Sequence, residues 1–144
     1  MPDPVLSLIA FCDLTVVEQG TGKNTLVGLF QSFHSQQFPF KAQRFFVHVS
    51  LTNLVMEEKV TLAVNVKQAT GAVVGSFGLT ANLPKPPPSA IGPIYINFNI
   101  PLTNVTFPIP GDYIVEALYN GEPVGQKPLH VHQASLPNPN IPNT

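Results

Sequence analysis

Apolar and polar residues alternate with a period of two through most of this chain, and no window carries a sustained apolar stripe at helical spacing. Over residues 8–18, Ala10, Cys12, Leu14 and Val16 share one side of an extended chain, with Phe11, Asp13, Thr15 and Val17 on the other. The flexible Gln19-Gly20-Thr21-Gly22-Lys23 turn leads into a second run over 24–31, where an interior Gly28 points to a bulge or a close backbone approach. A long loop is expected over 32–43. Residues 44–54 then give the clearest pattern: Phe45, Val47, Val49 and Leu51 form a core face, and Phe46, His48, Ser50 and Thr52 look away from it. Residues 57–68 alternate Val60, Leu62, Val64 and Val66 with polar positions, and the Ala69-Thr70-Gly71 corner turns them into an antiparallel hairpin with 72–83. Ile94, Ile96, Phe98 and Ile100 alternate with Tyr95, Asn97 and Asn99 in a strand expected to end at Pro101. Asn120-Gly121, between apolar runs over 112–119 and 123–132, is the strongest short-range hairpin signal in the chain.

About eight short strands at this spacing predict an all-β domain, a two-sheet antiparallel β-sandwich of immunoglobulin-like or related topology. Pro110-Gly111-Asp112-Tyr113 supports it, because a tyrosine at a strand start just after a glycine corner resembles a tyrosine corner. The inter-sheet disulfide and tryptophan of antibody domains are missing. Pro84-Lys85-Pro86-Pro87-Pro88 reads as an extended connector crossing between the sheets. The domain is expected over 1–132, followed by a Pro/Asn-rich tail over 133–144.

Composition narrows the function classes. The 144 residues are enough for one core, and 44% hydrophobic content with a net charge of −1 excludes charge-driven disorder. Seven Lys and Arg against eight Asp and Glu do not make the basic footprint of a nucleic-acid binder, and no apolar run is long enough to span a membrane. Met1-Pro2-Asp3-Pro4 lacks the basic start of a secretory signal, and one cysteine forms no internal disulfide, so a cytoplasmic protein is expected.

The segments Phe11-Cys12-Asp13-Leu14-Thr15-Val16-Val17, Leu26-Val27-Gly28-Leu29-Phe30, Phe38-Pro39 and Arg44-Phe45-Phe46-Val47 resemble an uncharacterised family of small bacterial β-sandwich proteins. Pro110-Gly111-Asp112-Tyr113, Asn120-Gly121-Glu122-Pro123-Val124-Gly125 and Pro128-Leu129-His130-Val131 continue the likeness, which covers roughly residues 10–131. The resemblance implies the sandwich fold and a bacterial, unsecreted origin, and it brings no catalytic residues.

Motifs for chemistry are sparse. Gly20-Thr21-Gly22-Lys23-Asn24-Thr25 has neither the spacing nor the following helix of a phosphate loop. His130 and His132 share a strand face, with His48 the obvious third recruit for a metal, but the close cysteines of a structural zinc site are missing. Cys12, on the side read as inward, is expected to act as a small hydrophobe, and Asp13 and Asp112 are lone acids. No enzyme activity, cofactor or metal is therefore expected. Six phenylalanines between Phe30 and Phe46 are more informative, because some fall on a loop that should be polar. Either Phe38-Pro39-Phe40 caps the open end of the sandwich, or the segment is an interface. Outer faces poor in Lys and Glu favour the interface, with Phe38, Phe40, Arg44, Phe46 and Tyr95 as its candidate residues. The resulting expectation is a non-catalytic protein-interaction or scaffolding module that forms a homo-oligomer or docks on a larger assembly. A virion or filament subunit is the alternative, and a small-ligand site near Phe38 and Arg44 the third reading.

Overall fold

The computed structural model describes residues 3–54, 58–85 and 94–134. They form nine strands: β1 (Val5–Val17), β2 (Asn24–Phe30), β3 (Ser32–Ser35), β4 (Phe40–Thr52), β5 (Lys59–Gln68), β6 (Val73–Asn82), β7 (Tyr95–Phe107), β8 (Gly111–Tyr119) and β9 (Glu122–Gln133). Sheet one has the order β2-β1-β4-β7 and sheet two the order β3-β9-β8-β5-β6. The β1-β4-β7 run facing β9-β8-β5 is the A-B-E against G-F-C arrangement of the immunoglobulin fold, with β2 and β6 added as hairpins. No described helix is long and apolar enough to cross a membrane.

The alternating residues meet where the pattern predicts. Phe45, Val47, Val49 and Leu51 of β4 join Leu62, Val64 and Val66 of β5 in one fully buried core between the sheets. The tyrosine corner closes the turn before β8: the Tyr113 hydroxyl donates to the Ile109 carbonyl at 2.6 Å from a ring that is 1% exposed. Asn120 and Gly121 take φ of 49° and 86°, the left-handed pair of a type I′ hairpin. Gly28 also has positive φ, and a Cβ there would collide with the Asp13 side chain, so a close approach explains it rather than a slipped register.

Three expectations differ. Pro101 does not end its strand: β7 is the last strand of sheet one and continues to Phe107, because an edge position tolerates a residue without an N–H. The expected long loop contains β3, which pairs parallel to β9 and is the exception to an otherwise antiparallel sandwich. β9 extends to Gln133, and the Ala134 N–H donates to the Ser35 carbonyl. The rest of the expected tail, and most of the proline connector, lie outside the described residues.

Sheet one is strongly curled. Three strand spacings, about 14 Å, would separate β2 from β7 in a flat sheet. Yet Asn99 Nδ2 of β7 donates to Asn24 Oδ1 of β2 at 2.8 Å. The β1–β2 ribbon therefore turns over the outer face of its own sheet beside His48, which is 3% exposed.

Candidate functional site

The five residues expected to form an interface do not share one surface. Phe38 and Phe40 are half-buried and pack on the core, where Phe33 meets Phe40, Phe45 and Phe107 at ring separations of 5.3–5.8 Å. These rings close one end of the sandwich. Phe46 faces outward from β4 but is 8% exposed, with the exposed Arg44 guanidinium 4.9 Å above its ring. Tyr95 is 52% exposed, and it pairs with Thr52 at the end of β4 remote from Phe40, about 40 Å away along the strand.

A different surface is both apolar and open. On the β1–β2 ribbon, Leu14 pairs with Val27, Cys12 with Leu29 and Val16 with Thr25, all on the side opposite Phe11 and Phe30. Leu14, Val16, Val27 and Leu29 are 44–64% exposed, and Leu8 at 47% extends the row along β1. The parity of β1 is the reverse of the sequence reading: Phe11, opposite Val47, enters the core, while Leu14 and Val16 face solvent. Only the partner strand decides this, because both sides of β1 carry apolar residues. The far edge of β2 has no strand partner among the described residues, nor does that side of β1 before Phe11. At their junction lies a shallow groove of about 190 Å³ lined by Leu8, Phe11, Leu29, Phe30 and Lys127. Sheet two is different: its outer face carries the Lys67–Glu116 ion pair at 2.9 Å and the Ser76–Asn65 hydrogen bond at 2.7 Å.

The groups nearest to a nucleophile and a base lie where the ribbon leaves β4, Cys12 on β1 itself and His48 under the ribbon. Cys12 is fully buried, and His48 Nδ1 donates to Asn99 Oδ1 at 2.7 Å, so its Nδ1 proton is already engaged. Burial pushes the Cys12 thiol up, reinforced by the neighbouring Asp13 charge and only partly offset by a backbone hydrogen bond at Leu14. The thiol therefore stays protonated and inert at neutral pH. Native Cys12 is expected to resist iodoacetamide at neutral pH and to react fully once the chain is unfolded, as intact mass will record. Stability should also fall as pH rises past about 8.5, because the unfolded thiol then loses its proton while the buried one keeps it. Tyr119, raised by burial and by Glu58, acts in the same direction at higher pH.

The remaining histidines gather elsewhere. Parallel pairing of β3 and β9 sets His34 beside His132 and Ser32 beside His130 on the outer face of sheet two. The His34 and His132 rings stack at 5.0 Å, those of His130 and His132 at 6.1 Å, and His130 Nδ1 meets Asp112 Oδ1 at 2.6 Å. The third imidazole is thus His34, not His48, which lies on sheet one. As placed, no three His, Cys, Asp or Glu side chains among the described residues form a ready metal pocket.

No curated protein matches the chain. Among solved structures it is similar to the alkylpurine DNA glycosylase AlkC of Pseudomonas fluorescens, at 12% identity and a TM-score of 0.40. That match covers 70% of this chain, which spans only 27% of the glycosylase. It is also similar to an immunoglobulin-like protein of Pseudomonas aeruginosa, at 13% identity and a TM-score of 0.37, over 90% of this chain and 96% of that one. The model of a family of unknown function, DUF6941, matches residues 7–132, from early β1 almost to the end of β9, and the chain belongs to that family.

Proposed function

We propose that the chain is a non-catalytic interaction module of the bacterial cytoplasm, and that its β1–β2 ribbon docks on the same ribbon of a second copy. The observation that carries this reading is the row of Leu8, Leu14, Val16, Val27 and Leu29, with exposed aliphatic surface of the order of 400 Å². It borders a strand edge that has no partner among the described residues. Edge strands are usually guarded by lysine, proline or a bulge, whereas β2 reads Asn-Thr-Leu-Val-Gly-Leu-Phe, with no charge and no proline. An antiparallel β2–β2 pairing about a two-fold axis sets this uncharged strand against itself without like-charge repulsion, and joins two four-stranded sheets into one.

The test is native mass by light scattering over a concentration series, beside a variant that combines Leu14→Lys with Val27→Glu. This cross-strand pair removes the aliphatic surface and puts opposite charges across the ribbon. The unmodified chain is expected as a dimer. The variant is expected at the 15.5 kDa monomer mass with an unchanged far-UV spectrum. A monomeric unmodified chain, or an unaltered mass in the variant, would sink the proposal. An open-ended mass distribution would replace it with the filament or particle reading.

A further inference from the structure

Three of the four histidines lie within two adjacent strands, although His34 is far from the other two in sequence. They sit on sheet two, so a role for them is independent of the ribbon and its docking. His34 and His132 are exposed and His130 is partly so, leaving the rings room to turn. With a zinc–nitrogen bond near 2.1 Å, an imidazole centroid lies about 3.2 Å from the ion. Two rings on one tetrahedral ion thus have centroids about 5.2 Å apart. The observed 5.0 Å for His34–His132 matches that spacing, and the 6.1 Å for His130–His132 lies about 1 Å beyond it. To aim nitrogens at a common point the stacked rings must rotate and His130 must swing about 1 Å toward His132, a movement that partly exposed side chains allow.

The surroundings match the chemistry. Asp112 Oδ1 accepts from His130 Nδ1, so Nε2 of that ring keeps its lone pair for a ligand; a carboxylate behind a histidine orients metal ligands in this way. Ser32 Oγ lies 3.3 Å from His34 Nε2 and supplies a second orienting group. Imidazole donors select ions of the zinc, copper and nickel class over magnesium or calcium.

We infer that His34, His130 and His132 form a surface site for one such divalent transition-metal ion. Asp112 positions His130, and a fourth coordination position stays open to water or to a partner's side chain.

The experiment titrates zinc chloride into the full chain after chelator treatment, reading affinity by calorimetry and ring ¹⁵N shifts by NMR. One saturating zinc per chain is expected, with shifts at His34, His130 and His132 and none at the buried His48. His34→Ala and His132→Ala should each weaken binding by at least tenfold, and Asp112→Asn by about tenfold. These positions are exposed, so the far-UV spectrum should not change. Absence of saturable binding, ring shifts at His48 equal to those of the other three, or unchanged affinity in both alanine variants would each overturn the assignment.

Discussion

Replacing Phe45 by alanine is expected to cost about 3–5 kcal/mol and to lower the melting temperature by roughly 10–15 °C. The ring is 1% exposed and lies edge-on to two others, at 5.7 Å from Phe30 and 5.3 Å from Phe33. Its removal leaves a cavity under the aromatic end-plug, and stiff strands on either side limit collapse into it. A loss of that size is a large part of the 5–15 kcal/mol that typically holds a domain folded. Tyr95→Ala is the matched control, since a half-exposed ring at the other end of β7 should change stability by no more than about 0.5 kcal/mol. Urea unfolding of both variants checks the pair. A Phe45→Ala loss below about 1 kcal/mol would mean that the plug is not part of the core.

Asn99→Leu is the second large effect expected. Asn99 accepts from His48 and donates to Asn24, so the substitution strips two groups of their partners under the curled ribbon. Leaving buried polar groups unpaired costs about 1–3 kcal/mol, whereas replacing both partners by apolar groups is far milder. The His48→Leu, Asn99→Leu double variant should therefore recover part of the loss, a non-additivity that a double-mutant cycle measures. Because Asn24 lies in β2, Asn99→Leu should also speed amide exchange at the start of that strand. Unchanged exchange together with unchanged stability would show that the relay does not hold the ribbon down.

The parts of the fold that were legible are strands with one apolar and one polar side. β5 is the clear case: Val60, Leu62, Val64 and Val66 can be buried in only one parity. β1 misled because Phe11 and Leu14 both look like core residues, and only pairing with β4 chooses between them. β3 was invisible for another reason: Ser32-Phe33-His34-Ser35 has one apolar side chain and no pattern, and its partner lies near the far end of the chain. The candidate interface suffered from both difficulties. Phe46 has the outward parity expected of it, yet it is only 8% exposed, with Arg44 over its ring. The exposed row on β1 and β2 stays hidden as long as Leu14 and Val16 are assigned to the core. The sequence shows only part of the histidine cluster, since His130 and His132 announce themselves two residues apart, while His34 arrives through β3.

The one parallel pairing bears on how the molecule is made. Once made, β3 must wait for roughly 100 further residues before β9 exists to pair with it. Until then the nascent chain holds Phe33, and the rings it will cover, without their final roof, and β8 presents the edge that β9 will occupy. Folding therefore waits on translation here: the β5–β6 hairpin can form locally, but the end-plug and the histidine cluster are completed only once β9 has been made. The interval in which a chaperone has most to hold is the one just before β9 emerges.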